Sequence, residues 1–296
     1  MMNFRLKLRQ PKQLVVPKGP DFRRARTFRS DVDGTYISFK APRHSPRRSN
    51  HLPRLPDHHY RSARYSDGTL PFCSMYSDHK AEAGLKDHFE KLQFFYHAWA
   101  FCGPWFSGTV AELNLSFDFI KAVNFPSSMS LFHPRAMEQF IGEYLTFMYS
   151  HHLSVTRGYI QEFDAPVNWQ PLRHLPVNAV KMEATPRDFS AHRTISHLMF
   201  FPIADNVMAK LHFMPSRILG LPRSELDKRV SIEPMLDLMD NIISSIQLEL
   251  SPEAKAQKVR ALAGLDNTNL VKGFPPLKWD NATLEEERRY LNSGAA

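Results

Sequence analysis

Eight arginines near the start of the chain carry most of the chemistry that the sequence offers. Arg23, Arg24, Arg26, Arg29, Arg43, Arg47, Arg48 and Arg54 share one stretch, where only Asp31 and Asp33 oppose them. A guanidinium is always charged, and its planar fork of donors matches a carboxylate or a phosphate through two contacts at once. The stretch is therefore expected to meet an acidic protein or the phosphates of a nucleic acid. Tyr36, Phe39 and Tyr60 lie within or just beyond it and would stack on bases in the second case. Each phosphate contact would add a salt-sensitive increment through counterion release. Pro42, Pro46 and Pro53 bar a groove-reading helix over the second half of the stretch, and no nucleic-acid-binding motif is present. The first expectation is that the segment is solvated or docked on the acidic remainder of its own chain. Among partners an acidic protein leads, and a nucleic acid or an anionic lipid is the alternative.

Other reactive side chains are scattered. There is no G-x-S-x-G, and Cys73 and Cys102 sit in the apolar contexts "PFCSM" and "AFCGPW", which predict buried, inert thiols. The fourteen histidines include Asp57-His58-His59, His151-His152, His192, His197 and His212, without H-E-x-x-H or paired-cysteine spacing. His197 and His212 bracket a turn signal near residue 205 and are expected to share one face of a hairpin. A metal there would need His192 or Asp188 as a third ligand. Glu162 and Asp164, two apart on a strand, would lie about 7 Å from each other. The simpler reading of all these groups is structural. Twelve glycines form no phosphate-binding loop. No catalytic residue, metal ligand or cofactor is assigned, and an unrecognised hydrolase or metal protein stands as a further alternative.

Charge is unevenly spread. Residues 1–65 hold sixteen Lys and Arg against four Asp and Glu, while the rest holds twenty-two against twenty-six, so the net charge of +8 belongs to the first fifth of the chain. The whole is 43% hydrophobic with 22 Phe, enough for a sizeable core. No apolar run approaches the roughly 18 residues of a membrane-spanning helix. The opening "MMNFRLKLRQPKQLVV" lacks the apolar core of a secretory signal. A cytoplasmic location is expected.

The elements that must position these residues follow from periodicity. Short strands are predicted over residues 4–8, 13–16 and 35–39, with Asp33-Gly34 as a turn, and residues 42–57 read as irregular. Residues 79–99 space Leu85, Phe89, Leu92, Phe95 and Trp99 like one face of a helix. A long strand alternates through Val110, Leu113, Leu115, Phe117 and Phe119. A helix opens at Pro134 with the stripe Met137, Phe140, Ile141, Tyr144 and Met148. A strand meander follows, with "ADN" as a tight hairpin signal between Ile203 and Val207. An amphipathic helix then runs from Ile232 to Ile246, a shorter one begins at Pro252, and the tail ends in the charged helical pattern "NATLEEERRYLN". The expected fold class is α+β: an antiparallel sheet with helices packed on it and an irregular basic N-terminal segment. The expected organisation is a basic Pro/Arg-rich segment over 1–70, a core domain over 71–264 and a tail over 265–296.

The segments "APVNWQPLRHLPVNAVKMEATP", "ISHLMFFPIADNVMAKLHFMPS" and "MLDLMDNIISSIQL" are similar, over residues 153–250, to the carboxy-terminal half of PsbP/DcrB-like domains. In these domains successive antiparallel strands lead into a final helix, and "SSIQL" matches its ending. That family has no common enzyme activity, and some members are accessories of type VI secretion effectors. The resemblance implies a non-enzymatic protein-binding role, as an accessory, chaperone or immunity protein. Fold alone does not fix function.

Overall fold

The computed structural model describes residues 14–46, 73–75, 89–104, 108–149, 152–154, 158–160, 163–187, 194–218 and 223–277. In chain order these form strands β1 (Arg26–Val32), β2 (Thr35–Ala41), β3 (Cys73–Ser74), β4 (Phe89–Cys102) and β5 (Thr109–Ala122), then helix α1 (Pro134–Tyr149). Strands β6 (His152–Ser154), β7 (Gly158–Ile160), β8 (Phe163–Leu172), β9 (Ala179–Pro186), β10 (Ser196–Ala204) and β11 (Val207–Arg217) follow. The chain then builds α2 (Arg223–Arg229), α3 (Glu233–Ser244), β12 (Gln247–Glu249) and α4 (Pro252–Leu262). The architecture is mixed α+β. Among the described residues no helix is long and apolar enough to cross a membrane.

An antiparallel seven-stranded sheet, in the order β3-β4-β5-β11-β10-β9-β8, divides the molecule into two layers. Alternation along β5 sends Leu113, Leu115, Phe117 and Phe119 to one face and Ser116, Asp118 and Ile120 to the other. The first face is covered by a smaller sheet, β1-β2-β12, and by α3, whose Met235, Leu238, Met239, Ile242 and Ile243 form the expected apolar stripe. The second face is covered by α1 through Met137, Phe140, Ile141 and Tyr144. Helix α1 starts where expected: Pro134 needs no partner for its missing N–H, and the His133 Nδ1 accepts from the Arg135 N–H at 3.2 Å. The "ADN" signal is the turn joining β10 to β11.

Several elements differ from expectation. Strands β1 and β12 and helix α2 go unpredicted. Of the strand predicted over 13–16 the described residues show only an isolated bridge from Val15 to Val230, and the strand over 4–8 and the terminal helical pattern lie outside the described residues. Two further elements show why a reading failed. Within the predicted helix over 79–99, residues from Phe89 onward are strand, and residues 79–88 lie outside the described residues. The cause is a bulge. Gln93 pairs with Asp118 and Phe95 with Phe117, leaving Phe94 as an extra residue. Leu92 before the bulge and Phe95 and Trp99 after it thereby share one face at spacings of three and four, which imitates a helical period. Strand β8 goes unread because Pro166 and Pro171 break its pattern. It is an edge strand, where a missing ladder N–H can face away from the sheet.

The basic segment is built into this frame. Phe28 of β1 and Phe39 of β2 are fully buried and stack with ring centroids 5.6 Å apart. Burial of each contributes on the order of 1.5–3 kcal/mol. Farther out, the Val15 N–H donates to the Arg229 carbonyl at 2.9 Å, and Lys18 and Cys102 exchange two backbone bonds at 2.8 and 2.9 Å. Beyond β2, the Ser45 N–H donates to the Ala98 carbonyl at 2.9 Å and the Ala100 N–H to the Ser45 carbonyl at 2.7 Å. Residues 14–46 are thus stitched to the core at both ends.

Candidate functional site

A hairpin returns its chain to where it began, so residues just before β1 meet residues just after β2. The register pairs Arg26 with Ala41. Beyond that pair, Pro20, Asp21, Arg24, Arg26, Pro42, Arg43 and Ser45 line an open cleft of 530 Å³. One wall is a 3₁₀ turn, Phe22–Arg24, whose Asp21 cap accepts from the Arg23 N–H at 3.0 Å and from its Nε at 3.2 Å. These bonds hold the Asp21 carboxyl below the usual carboxylate range, so it stays an anion tied to Arg23. The other wall is fixed through the Pro42 carbonyl, which accepts from the buried Trp99 Nε1 at 3.2 Å. Neither Arg24 nor Arg43 has an ion-pair partner among the described residues. Two cationic forks and the partly buried Arg26 therefore share one cleft on a rigid support.

Of the eight arginines singled out by sequence, Arg24, Arg26 and Arg43 come together here. Arg23 stands beside them, 91% exposed. Arg29 is exposed on the outer face of the same hairpin, across from Ser38. Arg47, Arg48 and Arg54 lie outside the described residues. Of the rings proposed for base stacking, Tyr36 is 55% exposed but Phe39 is a core residue, and Tyr60 is outside the described residues.

The scattered groups fare differently. His197 and His212 do not share a face. A bulge between Pro202 and Ala204 shifts the hairpin register by one, so His212 pairs with Leu198 and His197 with Phe213, on opposite faces. His197 instead meets Glu183, with Nδ1 3.5 Å from Oε1. Asp164 pairs with Arg187 at 2.8 Å. Cys102 ends its strand exposed, not buried, because β4 leaves the core there. Asp57, His58, His59, His151, Glu162, Asp188 and His192 are outside the described residues. No group of three metal-ligating side chains forms among the described ones.

Sequence reasoning missed one constellation. Lys210 of β11 lies buried on the α1 face, its Nζ 2.9 Å from Asp118 Oδ2 and donating to the Tyr144 hydroxyl at 2.9 Å. The Ser116 hydroxyl donates to the same Asp118 oxygen at 3.1 Å, while Asp118 Oδ1 and the neighbouring His212 Nε2 find no hydrogen-bond partner among the described residues. Burial alone would lower the lysine's proton affinity, but the Tyr144 oxygen and the Asp118 carboxylate outweigh it and hold the ammonium above the usual range. An amine so firmly protonated is no nucleophile or base; it ties α1 to β5 and β11. The signal was available: a lone acid in "SFDFI" and a lone cation in "MAKLHF", each within an apolar strand.

The tail crosses the α1 layer without regular structure. The Val271 N–H donates to the buried Glu138 Oε1 at 2.7 Å, its carbonyl accepts from Trp169 Nε1 at 2.9 Å, and the Leu277 N–H donates to the Ala165 carbonyl at 2.8 Å. Phe274 and Leu277, with Phe89, Phe125, Phe140 and Phe147, border an apolar cleft of 720 Å³ there.

The chain matches no protein-family model, no curated protein sequence and no solved structure.

Proposed function

We propose that this chain is a non-enzymatic binding protein whose arginine cleft docks an acidic surface of a protein partner. The observation that carries the reading is the convergence of Arg24, Arg26 and Arg43 on one cleft, with Arg29 on the adjoining hairpin and Arg23 on the turn before it. The inner face of that hairpin is locked into the core, so the backbone that carries Arg26, Arg29 and Arg43 needs no ordering on binding, and only the side chains lose freedom. Planar forks suit carboxylates in two-point contacts. A narrower form of the proposal, an accessory, chaperone or immunity protein for a secreted effector acting in the cytoplasm, draws on the resemblance of residues 153–250.

Binding of polyglutamate and of a single-stranded oligodeoxynucleotide, each titrated at low and at physiological salt, tests the reading. Polyglutamate is expected to bind, and Arg24→Gln with Arg43→Gln to weaken it by about tenfold or more, given about 1.5–3 kcal/mol for each charge-assisted hydrogen bond. Preference for the oligonucleotide, or indifference to both substitutions, would refute it.

A further inference from the structure

The cleft lies at one end of an open sheet edge. Strand β1 is the outermost of the order β1-β2-β12, and among the described residues nothing pairs with its far side. Which backbone groups point outward follows from β2. The Lys40 N–H donates to Ser245 Oγ, at 2.9 Å, on the β12 side, and Ser38 and Tyr36 pair with Gln247 and Glu249 there. Strand backbones alternate, so Phe39, Ile37 and Thr35 turn toward β1 and bond with their partners Phe28, Ser30 and Val32. Thr27, Arg29 and Asp31 therefore direct both N–H and C=O outward along the edge. Thr27 and Arg29 are exposed, whereas Phe28, Ser30 and Val32 are buried.

An edge of this kind accepts another strand unless its side chains forbid it. Here the outward side chains choose. Arg29 opposes a basic strand, and pairing β1 with a second copy of itself brings arginines together; an acid beside Arg29 is favoured. Toward the cleft, the charges of Arg24, Arg26 and Arg43 continue the same preference. At the other end Asp31 reverses it, with its Oδ1 accepting from the Gly34 N–H at 2.9 Å. A nucleic acid fits the arginines but has no alternating N–H and C=O groups to pair with the edge.

We propose that β1 is a strand-addition edge: an extended partner segment pairs with Thr27, Arg29 and Asp31 as a fourth strand, and its acidic half reaches Arg29 and the arginine cleft. The proposal deepens the docking reading above and rests on it. Main-chain bonds would supply affinity, and alternate acidic side chains specificity.

The test uses the full chain and two eight-residue peptides that alternate Val with Glu in one half and with Thr in the other. The acidic half is N-terminal in one peptide and C-terminal in the other. One of them is expected to bind and to slow amide exchange at Thr27, Arg29 and Asp31 at least about tenfold, leaving Phe28 and Ser30 unchanged. Thr27→Pro keeps every arginine and removes one outward N–H, which an edge position tolerates. It is expected to weaken the peptide about tenfold or more, while Thr27→Val does not. If Thr27→Pro disturbs the fold, the exchange pattern of the unaltered chain decides. Binding without slowed exchange at those three amides, or undiminished binding by a folded Thr27→Pro variant, overturns strand addition. If Arg24→Gln with Arg43→Gln still abolishes binding in that case, the docking surface survives. Failure of both peptides to bind, or their displacement by a single-stranded oligonucleotide of equal length, overturns both.

Discussion

His212 shows how a side chain acquires a property that its sequence context does not display. Burial and the nearby charges of Lys210 and Lys91 pull its proton affinity down to about 3. In the unfolded chain the same imidazole titrates near its ordinary value of 6.5. Between those two values the unfolded chain binds a proton that the folded chain refuses. Stability contributed by neutral His212 is therefore present above pH 6.5 and lost as pH falls below it. The slope is about 1.4 kcal/mol per pH unit for one such group. Urea denaturation at pH 6.5 and pH 5 is expected to show this loss, and His212→Gln to flatten it. An unchanged slope in the variant would mean that His212 is solvated. Reading this residue from sequence failed for a one-residue reason. The bulge between Pro202 and Ala204 put His212 on the face opposite His197, whereas Lys210, two residues back on the same strand, shares its face in any register. The arginines were more legible, because like charges close in sequence stay close wherever a hairpin returns the chain to its start.

Elements were readable wherever one period ran unbroken. Helices α1, α3 and α4, strand β5 and the β10–β11 hairpin stand where apolar spacing and turn residues placed them. Strand β4 was hidden by its own bulge and β8 by its prolines, so local irregularity, not weak propensity, defeated the reading. The buried trio binds three of these elements together, with Tyr144 from α1, Asp118 from β5 and Lys210 from β11. Removing the cation alone leaves a carboxylate buried without compensation, which typically costs about 3–5 kcal/mol. Lys210→Met is expected to destabilise by that amount in denaturant melts. Lys210→Met with Asp118→Leu should recover much of it, because a pair replaced by apolar side chains carries no stranded charge. A double variant no more stable than the single one would show that the trio contributes by shape and not by charge.

At the scale of the whole molecule the seven-stranded sheet separates two packed layers. The hairpin with its arginines lies over one face, and α1 with the tail lies over the other. Disturbing the tail should therefore leave docking intact, since sites without shared partners add nearly independently. Glu138 is the place to test this. It is buried, pairs with Arg135 and accepts from the Val271 N–H, and Arg135 in turn reaches the Asn269 carbonyl at 3.1 Å. Glu138→Ala removes an acceptor from a partly buried N–H and a partner from Arg135, which costs about 1 kcal/mol or more. Trp169 still holds Val271 and Phe274, and the Ala165 carbonyl still holds Leu277, so the loss should loosen the tail as a unit without releasing it. Amide exchange is expected to quicken at Val271 and Leu277, to stay slow in β5 and β11, and to leave polyglutamate affinity within twofold of the unaltered chain. Weakened docking in Glu138→Ala would show that the two faces are coupled through the sheet, and the arginine cleft would then answer to the tail on the far side.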